Sequence, residues 1–125
     1  MPKELKGIIP VLVTPFTEEG LLDEESLDKE VAFAIASGAH GVAIPGQVSE
    51  FWKLTLEERQ RITDIAVDTA GGKVPVVIGV AASNGSLAAQ LAPKARDAGA
   101  DEVFAMPPIY GATDDATVQE YYQTI

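Results

Sequence analysis

Residues 74–80 read VPVVIGV, seven positions without a polar side chain, and this run decides the fold. Alternating apolar and polar residues would mark a strand with one wet face. A run that is apolar at every position marks a strand covered on both faces, as in a parallel sheet flanked by helices. The segment before it, TLEERQRITDIAVDTAGG (55–72), predicts a helix: Thr55 and Glu58 have capping-box spacing, and Gly71 and Gly72 close it. The segment after it, SLAAQLAPKARDAG (86–99), predicts another helix, with Pro93 as a kink or weak point.

Further out the same alternation recurs. GIIPVLVTPF (7–16) is β-rich and ends in a Thr-Pro turn, and HGVAI (40–44) and DEVFAM (101–106) predict two more strands. DEESLDKEVAFAIAS (23–37) predicts a helix with an acidic start, Leu27, Val31 and Ile35 at i, i+4 spacing, and a stop at Gly38. TVQEYYQTI (117–125) opens a fourth helix. Strand starts near 8, 40, 74 and 102 repeat about every thirty residues, and GAHGVAIP from Gly38 is echoed by GADEVFAMP from Gly99. An open doubly wound sheet and a closed eight-unit barrel both fit this α/β pattern. No G-x-G-x-x-G follows a strand, which weakens the dinucleotide-binding form of the first. Four units are half of a barrel of ~250 residues. The pattern also runs to Ile125 without a terminating Gly, Pro or cap. Residues 1–125 are therefore expected to be the N-terminal half of one domain, an interrupted chain.

Composition narrows the function classes. The 125 residues are 46% hydrophobic, enough to bury a core, and the absence of cysteine excludes disulfides and thiolate metal sites. A net charge of −10 repels phosphate backbones, so no nucleic-acid partner is expected, and an anionic small molecule must be held by local contacts. One histidine limits metal chemistry to carboxylates plus one imidazole, and no metal site is predicted. No apolar run approaches the roughly 18–20 residues of a membrane helix. The start, MPKELKG, lacks the apolar stretch of a secretory signal, so no membrane partner and a cytoplasmic location are expected.

The ordered blocks GIIPVLVTPF, GLLDEESL, SGAHGVAIPGQVSEFWKLTLEER, GGKVPVVIGV and ARDAGADEVFAMPPIYG resemble the dihydrodipicolinate synthase/N-acetylneuraminate lyase family from about residue 6 onward. The resemblance implies a (β/α)8 TIM barrel of which this chain supplies about the first four βα units. It implies a lyase or aldolase that forms a Schiff base between a lysine and pyruvate or a related 2-keto acid, then joins or releases an aldehyde. The lysine imine is the electron sink, so no cofactor or metal is implied, and a homo-oligomer, dimer or tetramer, is expected. An amine nucleophile needs a desolvated strand position to be unprotonated near neutral pH. Lys3, Lys6, Lys29, Lys53, Lys73 and Lys94 all lie in the N-terminal lead, in helix or loop contexts, or just before a strand. The family's Schiff-base lysine and its proton-shuttling tyrosine come from later strands, so residues 1–125 alone are expected to be inactive.

The loop PGQVSE (45–50) is where the family reads G-T-T-G-E after its second strand. The first threonine of that pattern joins a hydroxyl relay and the second holds the keto acid's carboxylate. By position those roles fall on Gln47 and Val48. An amide can donate a hydrogen bond but does not pass protons as a hydroxyl does, and Val48 offers only its backbone N–H. Ser49 supplies a hydroxyl out of register, and turn N–H groups can still cradle an anion. Gly46, Val48 and Ser49 are thus expected to bind substrate, and Gln47 to act in catalysis. Thr14, at the end of the first strand, either places a hydroxyl at the rim or organises the Thr-Pro turn. Tyr110 in PPIYG keeps the second of two family tyrosines, the one that reaches a neighbouring subunit's site in synthase-like members; Ile109 replaces the first. It is expected to relay a proton or to pack at an interface.

Several residues have simpler readings. Glu50 is expected to hold the loop by accepting backbone hydrogen bonds. His40, Asp101 and Glu102 precede strands and belong to the face opposite the site. Phe51, Trp52, Tyr121 and Tyr122 read as packing residues. The departure from G-T-T-G-E favours a sugar-acid aldolase or dehydratase over the lysine-pathway synthase. A non-catalytic half-barrel association module is the alternative from another class. Val11, Val13, Val42, Ile44, Val76, Ile78, Val103 and Ala105 are candidates for the inward sheet face, with the register left open.

Overall fold

The computed structural model describes residues 3–108, 111 and 113–125. Strands β1 (Val42–Ile44), β2 (Val76–Gly79) and β3 (Glu102–Phe104) pair in parallel in that order. Helices α1 (Glu24–Ala36), α2 (Leu56–Ala70), α3 (Gly85–Ala98) and α4 (Asp115–Thr124) alternate with them. The helix starts follow from side-chain caps. Asp23, Thr55, Asn84 and Asp114 each accept a backbone N–H of the first turn, and Thr55 with Glu58 closes a full capping box. Helix α3 runs through Pro93, which lies on an exposed side.

The expected first strand is present only in part. Residues 8–14 lie beside β1 and join it through one bridge, Val11 to Ala43. Leu12 N–H donates to the Ala43 carbonyl at 2.9 Å, and Ala43 N–H donates to the Pro10 carbonyl at 3.0 Å. Pro10 has no N–H for the next rung, which interrupts the ladder. At its start Ile8 N–H donates to His40 Nδ1 at 3.0 Å, and Lys3 pairs with Asp101 at 2.9 Å. His40 and Asp101 therefore stand at the N-terminal ends of β1 and β3, as expected.

The register distributes the strand side chains differently from the inward set drawn from sequence. Val42, Ile44, Val76, Ile78 and Val80 form one core with Leu27, Val31, Ile62 and Leu91, so they face the helices. Val103 pairs with Ile78 and shares that side. Val11, Ala43, Val77 and Glu102 are matched across the sheet on the other face. A one-residue change of register exchanges the faces, and only the paired structure selects between them.

Candidate active site

The C-terminal ends of the strands carry the rim. Thr14, Gly46 and Ser49, three residues singled out from sequence, come together there in one hydrogen-bonded cluster. Ser49 has 0% exposure. Its Oγ accepts the Gly46 N–H at 2.9 Å and donates to the Leu12 carbonyl. Thr14 Oγ1 donates to the Ser49 carbonyl at 2.7 Å. The Ser49 hydroxyl thus ties the loop to the first strand segment from inside the protein, and the Gly46 N–H is already engaged. Removing a buried hydroxyl leaves its partners unsatisfied at about 1–3 kcal/mol. Ser49→Ala is therefore expected to lower stability by about 2 kcal/mol. Urea unfolding would register this as a lower midpoint at unchanged slope.

The loop tip is different. Gln47 and Val48 are exposed, and their N–H groups meet no acceptor among the described residues. The turn is held by Ser49 N–H to the Gly46 carbonyl (3.2 Å) and Glu50 N–H to the Gln47 carbonyl (2.9 Å). Two adjacent N–H groups without an acceptor among the described residues are a local donor pair able to hold a carboxylate on an acidic protein. Glu50 adopts a left-handed backbone, φ 58°, and its carboxylate pairs with Lys53 at 3.3 Å. The loop-holding role expected of Glu50 belongs to Ser49 instead. Tyr110 lies outside the described residues.

Two supporting residues carried no sequence signal. Arg59, 7% exposed, donates to the Ala81 carbonyl at 2.7 Å and the Gly79 carbonyl at 2.8 Å, and its guanidinium lies over the Phe51 ring at 5.8 Å. Desolvation pulls its pKa below the ordinary value. It fixes the chain leaving β2 and one wall of a cleft of about 210 Å³ lined also by Phe51, Trp52 and Leu87. In an Arg- and Glu-rich helix nothing distinguishes it from its exposed neighbours. The second is Glu30, whose Oε1 accepts the Val13 N–H at 2.9 Å. Phe51 is buried and edge-on to the exposed Trp52, and Tyr121 is buried with its hydroxyl accepting the Ala82 N–H at 3.3 Å.

Among the described residues no lysine stands on a strand; Lys3, Lys6, Lys29 and Lys53 pair with Asp101, Glu4, Glu25 and Glu50. Among the described residues no three potential metal ligands cluster, and no helix is long and apolar enough to cross a membrane.

Parallel βα units with their irregular loops gathered at the strands' C-terminal ends define the opening four units of a (β/α)8 barrel, the side on which such barrels build active sites. The profile of the dihydrodipicolinate synthetase family matches residues 4–125, and the chain belongs to that family. It is 36% identical over 105 residues to the 4-hydroxy-tetrahydrodipicolinate synthase of Agrobacterium fabrum, covering 84% of this chain and 36% of the relative. N-acetylneuraminate lyase from Mycoplasma synoviae superposes with a TM-score of 0.90 at 26% identity, over 95% of this chain and 42% of that one. A prophage protein of the dihydrodipicolinic acid synthase family from E. coli K12, solved in complex with pyruvate, gives 0.87 at 33% identity, over 94% and 39%. The chain spans less than half the length of these relatives.

Proposed function

We propose that residues 1–125 are the N-terminal half of a single (β/α)8 domain whose enzyme forms a Schiff base with pyruvate or a related 2-keto acid to make or break a C–C bond. The observation that carries this reading is the pair of N–H groups at Gln47 and Val48 that meet no acceptor among the described residues, in a rim loop of a chain of this family. The pyruvate complex of the E. coli relative supports the substrate class. In this reading the keto acid's carboxylate accepts from the Gln47 and Val48 N–H groups. The Gln47 side-chain amide, at the place of a relay hydroxyl, donates a hydrogen bond that orients the substrate. Thr14, whose hydroxyl donates to the Ser49 carbonyl, accepts a hydrogen bond from the substrate on its oxygen. Gly46 and Ser49 hold the loop in shape, and Tyr110 supplies a phenol to the proton relay, in its own site or that of a neighbouring subunit in a homo-oligomer.

The chemical step needs an amine from a further βα unit. It attacks the C2 carbonyl and water leaves; in cleavage the resulting imine accepts the electron pair of the broken bond as the aldehyde departs, and in synthesis the imine loses a C3 proton to give an enamine that donates its electron pair to the aldehyde carbon. Borohydride reduction in the presence of pyruvate is expected to trap a secondary-amine adduct on the full-length enzyme and none on residues 1–125. An intact, folded enzyme that yields no adduct would overturn the reading.

A sugar-acid aldolase or dehydratase is the second reading, favoured by Gln47 and Val48 standing where the synthase pattern has two threonines. The likeness to N-acetylneuraminate lyase supports it. Relative turnover of aspartate semialdehyde, a sialic acid and keto-deoxy sugar acids distinguishes the two.

A further inference from the structure

Parallel strands bond to a neighbour at every second residue. Val42 N–H donates to the Pro75 carbonyl at 3.0 Å, and the register of β1 with β2 runs on to Ile44 opposite Ile78. Advancing two residues per rung, the ladder would next bring the Gly46 N–H to the Gly79 carbonyl. Both groups are engaged elsewhere. Gly46 N–H donates to Ser49 Oγ at 2.9 Å, and the Gly79 carbonyl accepts Arg59 Nη2 at 2.8 Å. They remain neighbours, since the Pro45 carbonyl lies against the Gly79 α-carbon where a side chain would stand.

Arg59 is buried on α2 and pairs with no carboxylate among the described residues. A guanidinium is unfavourable to bury unless its donors are used. Its fork takes the Gly79 and Ala81 carbonyls where β2 ends, and the ring of Phe51, the first residue beyond the loop 45–50, lies under it at 5.8 Å. Arg59 therefore touches the supports of both ends of that loop, Gly79 beneath Pro45 and Phe51 after Glu50. β2 is paired on both sides, so strands added at the edges of the sheet leave this arrangement as it is.

We propose that Arg59 is a positioning residue for the rim: by occupying the Gly79 carbonyl it denies Gly46 its partner in the sheet, so the loop leaves the sheet at Pro45 and Gln47 and Val48 stand clear of it. The consequence for ligand binding rests on the proposed reading of the Gln47 and Val48 N–H groups as the carboxylate site; the position of the loop does not. A plain brace between α2 and β2 would only add stability. A positioning role decides which acceptor Gly46 can reach.

Residue-resolved amide hydrogen exchange on the full-length enzyme and its S49A, R59M and S49A/R59M variants separates these roles. S49A removes the acceptor of Gly46 while Arg59 still holds the Gly79 carbonyl, so Gly46 exchange is expected to quicken about tenfold, the scale of one hydrogen bond. In S49A/R59M that carbonyl is released to Gly46, whose exchange is expected to slow again. Lost stability can only quicken exchange, so this reversal is not the signature of a brace. Gly46 exchanging as fast in the double variant as in S49A, or faster, overturns the proposal. Should R59M fail to fold, S49A decides: unchanged Gly46 protection there means that Gly46 reaches another acceptor despite Arg59, and also overturns it. On the binding side, R59M is expected to need about tenfold more pyruvate for half-maximal borohydride trapping, with the same yield at saturation. An unchanged half-saturation in an enzyme that forms the adduct overturns the proposal. A parent enzyme that forms no adduct refutes the keto-acid reading, and Gly46 exchange then decides the role of Arg59 alone.

Discussion

Gly79→Ala is expected to lower the melting temperature by about 10 °C or more, or to abolish cooperative folding. A Cβ at position 79 would lie 1.8 Å from the Pro45 carbonyl oxygen and 2.9 Å from its carbon. Both are backbone atoms, so no rotamer change relieves the clash. Either β1 and β2 spread or the rim loop leaves its place, and Pro45 is buried where that loop begins. Overpacking of this kind costs about 3 kcal/mol or more when backbone must move. Gly20→Ala is the matched control: its Cβ would meet nothing within 4 Å, so only the cost of a left-handed φ of 81° remains. Thermal melts followed by circular dichroism compare the two. A Gly79→Ala protein melting within a few degrees of the parent would show that Pro45 does not approach so closely.

Residues 1–125 on their own are expected to sediment as a dimer or larger species at micromolar concentration. Ile8 is 72% exposed, Val13 53% and Phe33 73%. With Pro10, Leu12 and Ala34 they border or line a groove of about 490 Å³ along α1 and the first strand segment. The N–H groups of Ile9 and Val11 on that edge meet no acceptor among the described residues, and the far side of β3 is likewise unpaired within the sheet. Open edges beside apolar surface recruit other chains. Covering several hundred Å² at ~25 cal/mol per Å² contributes roughly 10 kcal/mol before association entropy is subtracted. The net charge of −10 opposes self-contact, so added salt is expected to strengthen association by screening it. Sedimentation velocity at two salt concentrations tests both statements. A monodisperse monomer with a sharp melt would mean that this face is not adhesive.

The same contrast between local and distant interactions divides what could be read early from what could not. Helices α1 to α4, the Thr55–Glu58 capping box and the parallel strands were legible in residues 23–125, because a cap acts over three residues and periodicity over four; the caps Asn84 and Asp114 lie ahead of the stretches read as helices 86–99 and 117–125. The order of blocks carried the family as well. The first strand was overestimated because its apolar run conceals the missing donor of Pro10, which matters only when a neighbour needs it. The loop 45–50 was singled out from sequence, and the structure places it at the C-terminal ends of the strands, but the hydrogen bonds within it were not legible. Ser49 looked like a free hydroxyl in sequence, and Glu50 looked like the anchor. The fold makes Ser49 the anchor by bringing Leu12 and Thr14 to it across 37 and 35 positions of chain, while the Glu50 carboxylate pairs with Lys53. Arg59 and Glu30 were invisible for the same reason: their partners are backbone carbonyls and an N–H 17 to 22 residues away. Local sequence specifies which elements form and where they stop. Which polar groups remain free for a ligand depends on which backbone groups tertiary packing has already paired.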